Sequence, residues 1–332
     1  MIKKTVSAFF CMFFSCMAIY AQKAPTDFNS YDGMPLSARS IAMGFAGVAV
    51  TGCIDNIFYN SAGLAYIESG NVQVEALFAL SRSSNIPDDV LNITDPINLG
   101  FKSFAILQEQ GAISWRTLSS NTKFSSGTDY WYKKNETIKA ITISAAQKDE
   151  KNNYAVGIGI SYLYGTIAES SVDGGVPFAQ TSSGNGFAVD IGFLTPLNRN
   201  MTLGVNFENV LGFMWWSDYD CDQLPFGIRT GLGYRTGGFN LLADVNKKFY
   251  RFGDSNNTVY SVGVEQYITK VLALRLGTQS TSLSDFTNEK EVKYTYGFAL
   301  NISLFSLSFA NETYKINSEN VSKYILSLKT FI

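Results

Sequence analysis

"YAVGIGISYLYG", residues 154–165, alternates bulky and small side chains. Tyr154, Val156, Ile158, Ile160, Tyr162 and Tyr164 share one face. Ala155, Gly157, Gly159, Ser161 and Gly165 share the other, with Leu163 the single bulky exception. A period of two is the mark of a β-strand. A strand of a soluble sheet turns its large face to a core and carries charge on the face turned to water. Here the small face is uncharged and poorly filled. The tyrosines bracket an apolar centre, as aromatic girdles flank the hydrocarbon band of a membrane wall.

The same division recurs along the chain. Over 225–236, Phe226, Ile228, Thr230, Leu232 and Tyr234 oppose Gly227, Arg229, Gly231, Gly233 and Arg235. Over 238–249 and 257–268, Asp244 and Glu265 fall opposite a row of apolar residues, and over 270–280 Arg275 opposes Leu272, Leu274 and Leu276. Glu75, Arg116, Asp190, Glu208 and Lys293 take the less apolar face of their own segments. An Arg or Lys on a lipid face near the midplane costs about 2–4 kcal/mol, so the charged face is expected to line a lumen. Within that lumen the charges are expected to pair with one another and pin a plug.

Fourteen strand-length segments run from 70–81 to 321–331. The links between them alternate: long stretches such as "SSNTKFSSGTDYWYKKN" and "SSVDGGVPFAQTSS", then short ones such as "KDEKN", "PLNRN" and "TGG". Short turns at one end and longer loops at the other characterise outer-membrane barrels. Past the N-terminus no apolar stretch is long enough for a transmembrane helix, so a membrane-embedded form has to be a closed barrel. The expected fold is therefore an all-β transmembrane barrel of about fourteen antiparallel strands, covering 70–332.

The bulk composition narrows the function. Charged residues make up 16% of the 332, against roughly 25% in soluble domains. A net charge of −2 gives no basic patch for nucleic acid. Histidine is absent, which removes imidazole bases, His-dependent triads and His-ligated metals. No catalytic, metal or cofactor residue is singled out, and no enzymatic role is expected. Residues 1–21 read as a secretory signal, with Lys3 and Lys4 ahead of an apolar run that ends at Ala21. Beyond it only Cys53 and Cys221 remain, too few for a disulfide framework. "YWY" (130–132) and "FMWWSDY" (213–219) suit interfacial anchoring, since Trp and Tyr favour the membrane boundary.

Residues 22–69 differ from the rest, with "SARSIAMGFAGVAV" rich in small residues and "NIFYNSAGLAYI" reading as a short helix between turns. Together they give "SARSIAMGFAGVAVTGCIDNIFYNSAGLAYI", which resembles the N-terminal region of the FadL-like outer-membrane family, in particular its PorV/PorQ-like branch. The matching positions are Ala38, Arg39, Met43, Gly44, Gly47, Asp55, Asn60, Ala62, Gly63, Leu64 and Ala65. Phe45 stands where a second glycine is common, and Ser61 replaces the usual proline. "LPFGIRTGLGYRTG", "VGVEQYITKVLALRLGTQ" and the closing "KYILSLKTFI" are similar to the branch's later strands.

The resemblance implies a bacterial outer-membrane barrel whose lumen is stoppered by 22–69, a segment called a hatch. Its motif would comprise Arg39, Gly44, Gly47, Asn60, Ser61, Ala62 and Gly63, with Asn60 capping the short helix at Ala62–Tyr66 and Arg39 facing a lumen carboxylate. It further implies contact with outer-membrane lipid and passive uptake of hydrophobic molecules such as long-chain fatty acids. A PorV-like role beside protein secretion partners is the alternative.

Overall fold

A computed structural model describes residues 37–68, 70–82, 97–126, 130–249, 257–282, 290–316 and 319–332. The expected signal at 1–21 and the first part of the expected hatch, 22–36, lie outside the described residues.

Fifteen strands are present among them. The first seven are β1 (Gln73–Arg82), β2 (Ile97–Gln108), β3 (Gly111–Ser126), β4 (Tyr130–Asp149), β5 (Tyr154–Asp173), β6 (Val176–Pro196) and β7 (Met201–Trp216). A two-residue β8 (Asp222–Gln223) follows. Then come β9 (Phe226–Thr236), β10 (Phe239–Phe249), β11 (Asn257–Tyr267), β12 (Leu272–Ser282), β13 (Lys290–Ile302), β14 (Phe305–Ile316) and β15 (Glu319–Phe331). Every pairing is antiparallel between sequence neighbours, β9 joins β7 directly, and β1 pairs β15 to close the ring. Fourteen strands thus form a closed barrel, and β8 adds only a short pairing to β7. Closure leaves no strand edge within the hydrocarbon, the condition for a sheet to cross a membrane.

The division of faces follows the alternation in the sequence. On β5, Ile158 and Ile160 are 42% and 52% exposed, while Gly157, Gly159, Ser161 and Leu163 turn inward and are buried. Tyr162 and Tyr164 stack on the outer wall at 6.1 Å, and Trp115 Nε1 donates to the Tyr164 hydroxyl at 2.7 Å.

Strand lengths depart from expectation. β9 to β12 have 11 residues each, the number a tilted strand needs to cross the bilayer. β4, β5 and β6 have 20, 20 and 21. Of the stretches read as long loops at 120–135 and 170–183, the described residues 120–126, 130–135 and 170–183 continue the ladders, with Tyr130 opposite Asp173 and Asp173 opposite Val176. Gly174 and Gly175, both at positive φ, form the two-residue hairpin between β5 and β6. Beyond the hydrocarbon both faces of a strand are wet, so in-out alternation disappears while backbone pairing persists. That is why these strands read as loops.

Two contrasting substitutions test the placement. Ile160→Arg, on the lipid face, is expected to cost about 2–4 kcal/mol, read as a lower urea midpoint for barrel folded into vesicles. Val176→Arg, on the projecting part, is expected to change the stability by less than about 0.5 kcal/mol and leave that midpoint nearly unmoved. Equal losses would put the projection inside the hydrocarbon.

Candidate functional site

Residues 37–68 lie within the ring of strands. They form α1 (Ala38–Ala42), α2 (Asn56–Tyr59) and a tighter 3-10 turn, Ser61–Tyr66. The short helix read at Ala62–Tyr66 is this 3-10 turn, and α2 is a second piece ahead of it in "NIFYNSAGLAYI". Asn60 is the break: its backbone is extended (φ −168°, ψ 99°), so α2 stops there and the turn starts afresh. Its side chain uses both ends. Oδ1 accepts from Ala62 N at 3.1 Å, and Nδ2 donates to Val48 O at 2.9 Å and to Phe193 O of β6 at 2.8 Å.

The wall meets this segment through inward-facing glycines. A Cβ on Gly157 would collide with Ser61 and Ala62, one on Gly192 with the Asn60 side chain, and one on Gly204 with Val48. On the opposite wall, Cβ atoms on Gly263 and Gly277 would strike Met43 and Gly44. Gly44 itself (φ +65°) has strand backbone where a side chain would go. Within the segment, Gly47 gives way to the Tyr59 ring and Gly63 to the Asn56 side chain. Phe45 also has positive φ, +63°, at the position where the resemblance anticipated glycine. A non-glycine residue there costs about 1–2 kcal/mol. Its packing against the buried cluster of α1, β1, β14 and β15 offsets that cost. Ser61 opens the 3-10 turn buried, with its hydroxyl making no hydrogen bond.

The expected lumen charges fall into groups. Glu265 on β11 accepts from Arg39 Nε (3.1 Å) and Nη2 (2.9 Å), from Arg275 Nε (2.8 Å) and from Asn240 Nδ2 (2.8 Å). Arg39 also reaches Asp55 within the segment at 3.3 Å, and Arg275 donates to Ser308 Oγ at 3.2 Å. Asp244 on β10 takes the amides of Gly47 and Val48 at 2.6 and 2.9 Å. Farther along the lumen, Arg229 pairs with Glu208 at 2.8 Å. Arg116 and Arg229 both lie over the Phe58 ring, at 4.5 and 5.5 Å from its centre, and Arg229 lies 4.8 Å from that of Tyr59. Asp190 accepts from Asn209 N at 2.7 Å. Lys293 stands apart from these groups, with Glu312 at 3.3 Å and the Phe45 ring at 5.8 Å. Glu75 is buried opposite Lys329 in the β1–β15 ladder.

Between the segment and the short turns lies a polar cavity of about 260 Å³, lined by Thr51, Gln73, Arg235, Asn240, Ser306 and Lys329 among others. Arg235 is exposed there. Cys53 also borders this cavity and, like Cys221, is a free thiol. Burial pushes the Cys53 thiol up to about 12, so it stays protonated.

On the other side of the segment is a feature the sequence reading missed. Leu118, Ile138, Leu163, Ile167, Ala188, Met214 and Trp216 turn inward from the five consecutive strands β3 to β7 and form a buried apolar cluster with Leu224. Leu163, the odd bulky residue on the small face of β5, was its signal. Trp215 faces outward and is 50% exposed, as an interfacial anchor should be. Trp216 turns inward instead, its Nε1 donating to Asp222 Oδ2 at 2.9 Å.

No family description matches the sequence, and no curated protein matches it. Solved structures do. The CymD monoaromatic hydrocarbon channel aligns with a TM-score of 0.66 at 12% identity, over 92% of this chain and 98% of its own. The toluene transporter TbuX of Ralstonia pickettii aligns at 0.66 and 14%, over 91% and 99%. A FadL homologue of Pseudomonas aeruginosa aligns at 0.64 and 10%, over 91% and 99%. At such identities the likeness establishes a shared fold, the FadL-type barrel.

Glu265→Ala leaves Arg39 and Arg275 facing each other without their common carboxylate, and breaking a buried pair costs about 3–5 kcal/mol. The folded barrel, checked by its heat-dependent gel shift, is expected to release residues 37–68 to protease several-fold faster. Gly157→Val should do the same by steric displacement alone. Unchanged cleavage in both variants would show that these contacts do not hold the segment.

Proposed function

We propose that the chain is a bacterial outer-membrane channel for passive uptake of hydrophobic small molecules, with residues 22–69 as the hatch, 70–332 as the barrel and 1–21 as the export signal. The observation that carries this reading is the inward apolar cluster around Leu163. Other inward apolar side chains, Leu77 and Leu107 among them, pack against residues 37–68, whereas those of this cluster pack against one another and the β7–β9 link, a surface that suits a ligand preferring hydrocarbon to water.

A ligand arriving from the side of the long strands meets this cluster first. The charged layer of Arg116, Glu208 and Arg229 and the hatch beneath it bar direct passage. An apolar molecule therefore leaves for the wall when the hatch shifts, and partition into lipid supplies the driving force. No catalytic step is involved. The shared fold with the named hydrocarbon channels supports this reading, and the resemblance extends the substrate class to long-chain fatty acids. The PorV-like alternative rests on the projecting ends of β4 to β6, where Trp131 and Phe178 are 37% and 49% exposed and could meet a secretion partner.

Uptake of labelled long-chain fatty acid and of labelled toluene is to be measured in a host lacking its own hydrophobic channel. The chain is expected to raise at least one above the empty host. Leu163→Asn, which leaves an unpaired polar group in the cluster at a cost of about 1–3 kcal/mol, is expected to cut that uptake about tenfold in a still-folded barrel. A folded barrel with no uptake of either would favour the secretion reading.

A further inference from the structure

The apolar cluster is filled, and part of what fills it does not belong to the barrel wall. Leu224, 2% exposed, comes from the link between β7 and β9, and Tyr219 of the same link packs against the cluster. A Cβ on the inward-facing Gly212 would stand only 2.9 Å from Leu224 Cβ, so the wall makes room for Leu224 as it does for the hatch. The other members sit on β3 to β7 and are fixed by long ladders.

The link is held less firmly. β7 pairs with β9 only as far as Glu208–Gly227 and resumes with β8 at Phe213–Gln223. Between these points Asn209 adopts a positive φ of +50°, and Pro225 has no N–H to give. Leu224 N to Gly212 O, at 3.0 Å, and Asn209 Nδ2 to Pro225 O, at 2.9 Å, span the interruption. Farther out, Ser217 N reaches Ser183 O at 2.9 Å, and Asp222 holds the Trp216 indole.

We propose that residues 217–225 occupy a hydrocarbon site with their own side chains, Leu224 and the Tyr219 ring standing where a ligand goes. A ligand enters by displacing this cover about the Asn209–Pro225 interruption. The volume released is that of one branched aliphatic and one aromatic side chain, so the site takes a compact hydrocarbon, a single ring or a short branched chain. An extended acyl chain does not fit it. This deepens the proposed uptake and rests on it for biological meaning, though binding can be tested separately.

Phe213 and Gln223 provide the test. Gly212 and Leu224 form a hydrogen-bonded pair, so the adjoining Phe213–Gln223 pair is the close, non-hydrogen-bonded kind, a spacing a disulfide can bridge. In a Cys53→Ser, Cys221→Ser background, Phe213→Cys with Gln223→Cys ties the cover to β7 without altering an inward residue. Fluorobenzene binding to the purified barrel in lipid nanodiscs is followed by 19F relaxation, with the reduced form of the same variant as its folding control. The reduced form is expected to bind and the oxidised form to bind at least tenfold more weakly, with recovery on adding reductant. Equal binding in both forms, or binding in neither, overturns the proposal. Cellular uptake reports on the channel reading independently: its absence alongside redox-gated binding would remove transport and leave the covered site standing.

Discussion

Backbone-to-backbone contact between the N-terminal segment and the wall is the constraint on which the rest of this structure depends. A lumen of fourteen strands is wide enough to hold folded chain, but only if the wall offers surfaces without side chains. Glycines on β5, β6, β7, β9, β11 and β12 provide them. They admit Met43, Gly44, Val48, Asn60 and Ala62 to distances that any Cβ would forbid. Polar anchors then fit at fixed places, Arg39 on Glu265, the Gly47 and Val48 amides on Asp244, and Asn60 on the Phe193 carbonyl. Without the glycine seats none of these groups would reach its partner.

Three layers follow along the lumen. Residues 37–68 and their ion pairs lie toward the short turns, above a polar cavity. A charged layer centred on Arg229 comes next, with Phe58 beneath two guanidiniums. The apolar cluster and its cover lie farthest out. Buried ion pairs add little net stability against apolar replacements, but they fix position, and here they fix which way the segment sits. The apolar layer does the opposite, since non-directional contacts can be exchanged for a ligand at little cost in specificity. Position is set by charge on one side of the lumen, and exchange is left to hydrocarbon on the other.

Much of this was legible in the residues. The alternation of 154–165 gave the wall and its faces because lipid and lumen impose opposite demands on neighbouring residues. Gly157 was readable as space left for a neighbour, although the sequence could not name Ser61 and Ala62 as that neighbour. The outer halves of β4 to β6 were hidden because water on both faces imposes no pattern. The apolar cluster was hidden because its members are scattered over five strands and Leu224 lies in a link; only Leu163 broke the local pattern. Trp215 and Trp216 looked alike in the sequence, and only strand parity separates the one facing lipid from the one facing the lumen.

The seam between β1 and β15 joins the first strand of the barrel to the last. The segment seated inside precedes β1 and touches strands as late in the chain as β14 and β15, the last. Seats this close admit one placement of the segment, so ring and segment have to settle against each other. The simplest order of assembly puts the N-terminal segment in place while the sheet is still open, with the later strands curling around it and the seam closing last. On that order the segment is the former on which the barrel is shaped, and a chain lacking it would have to find its curvature without a template.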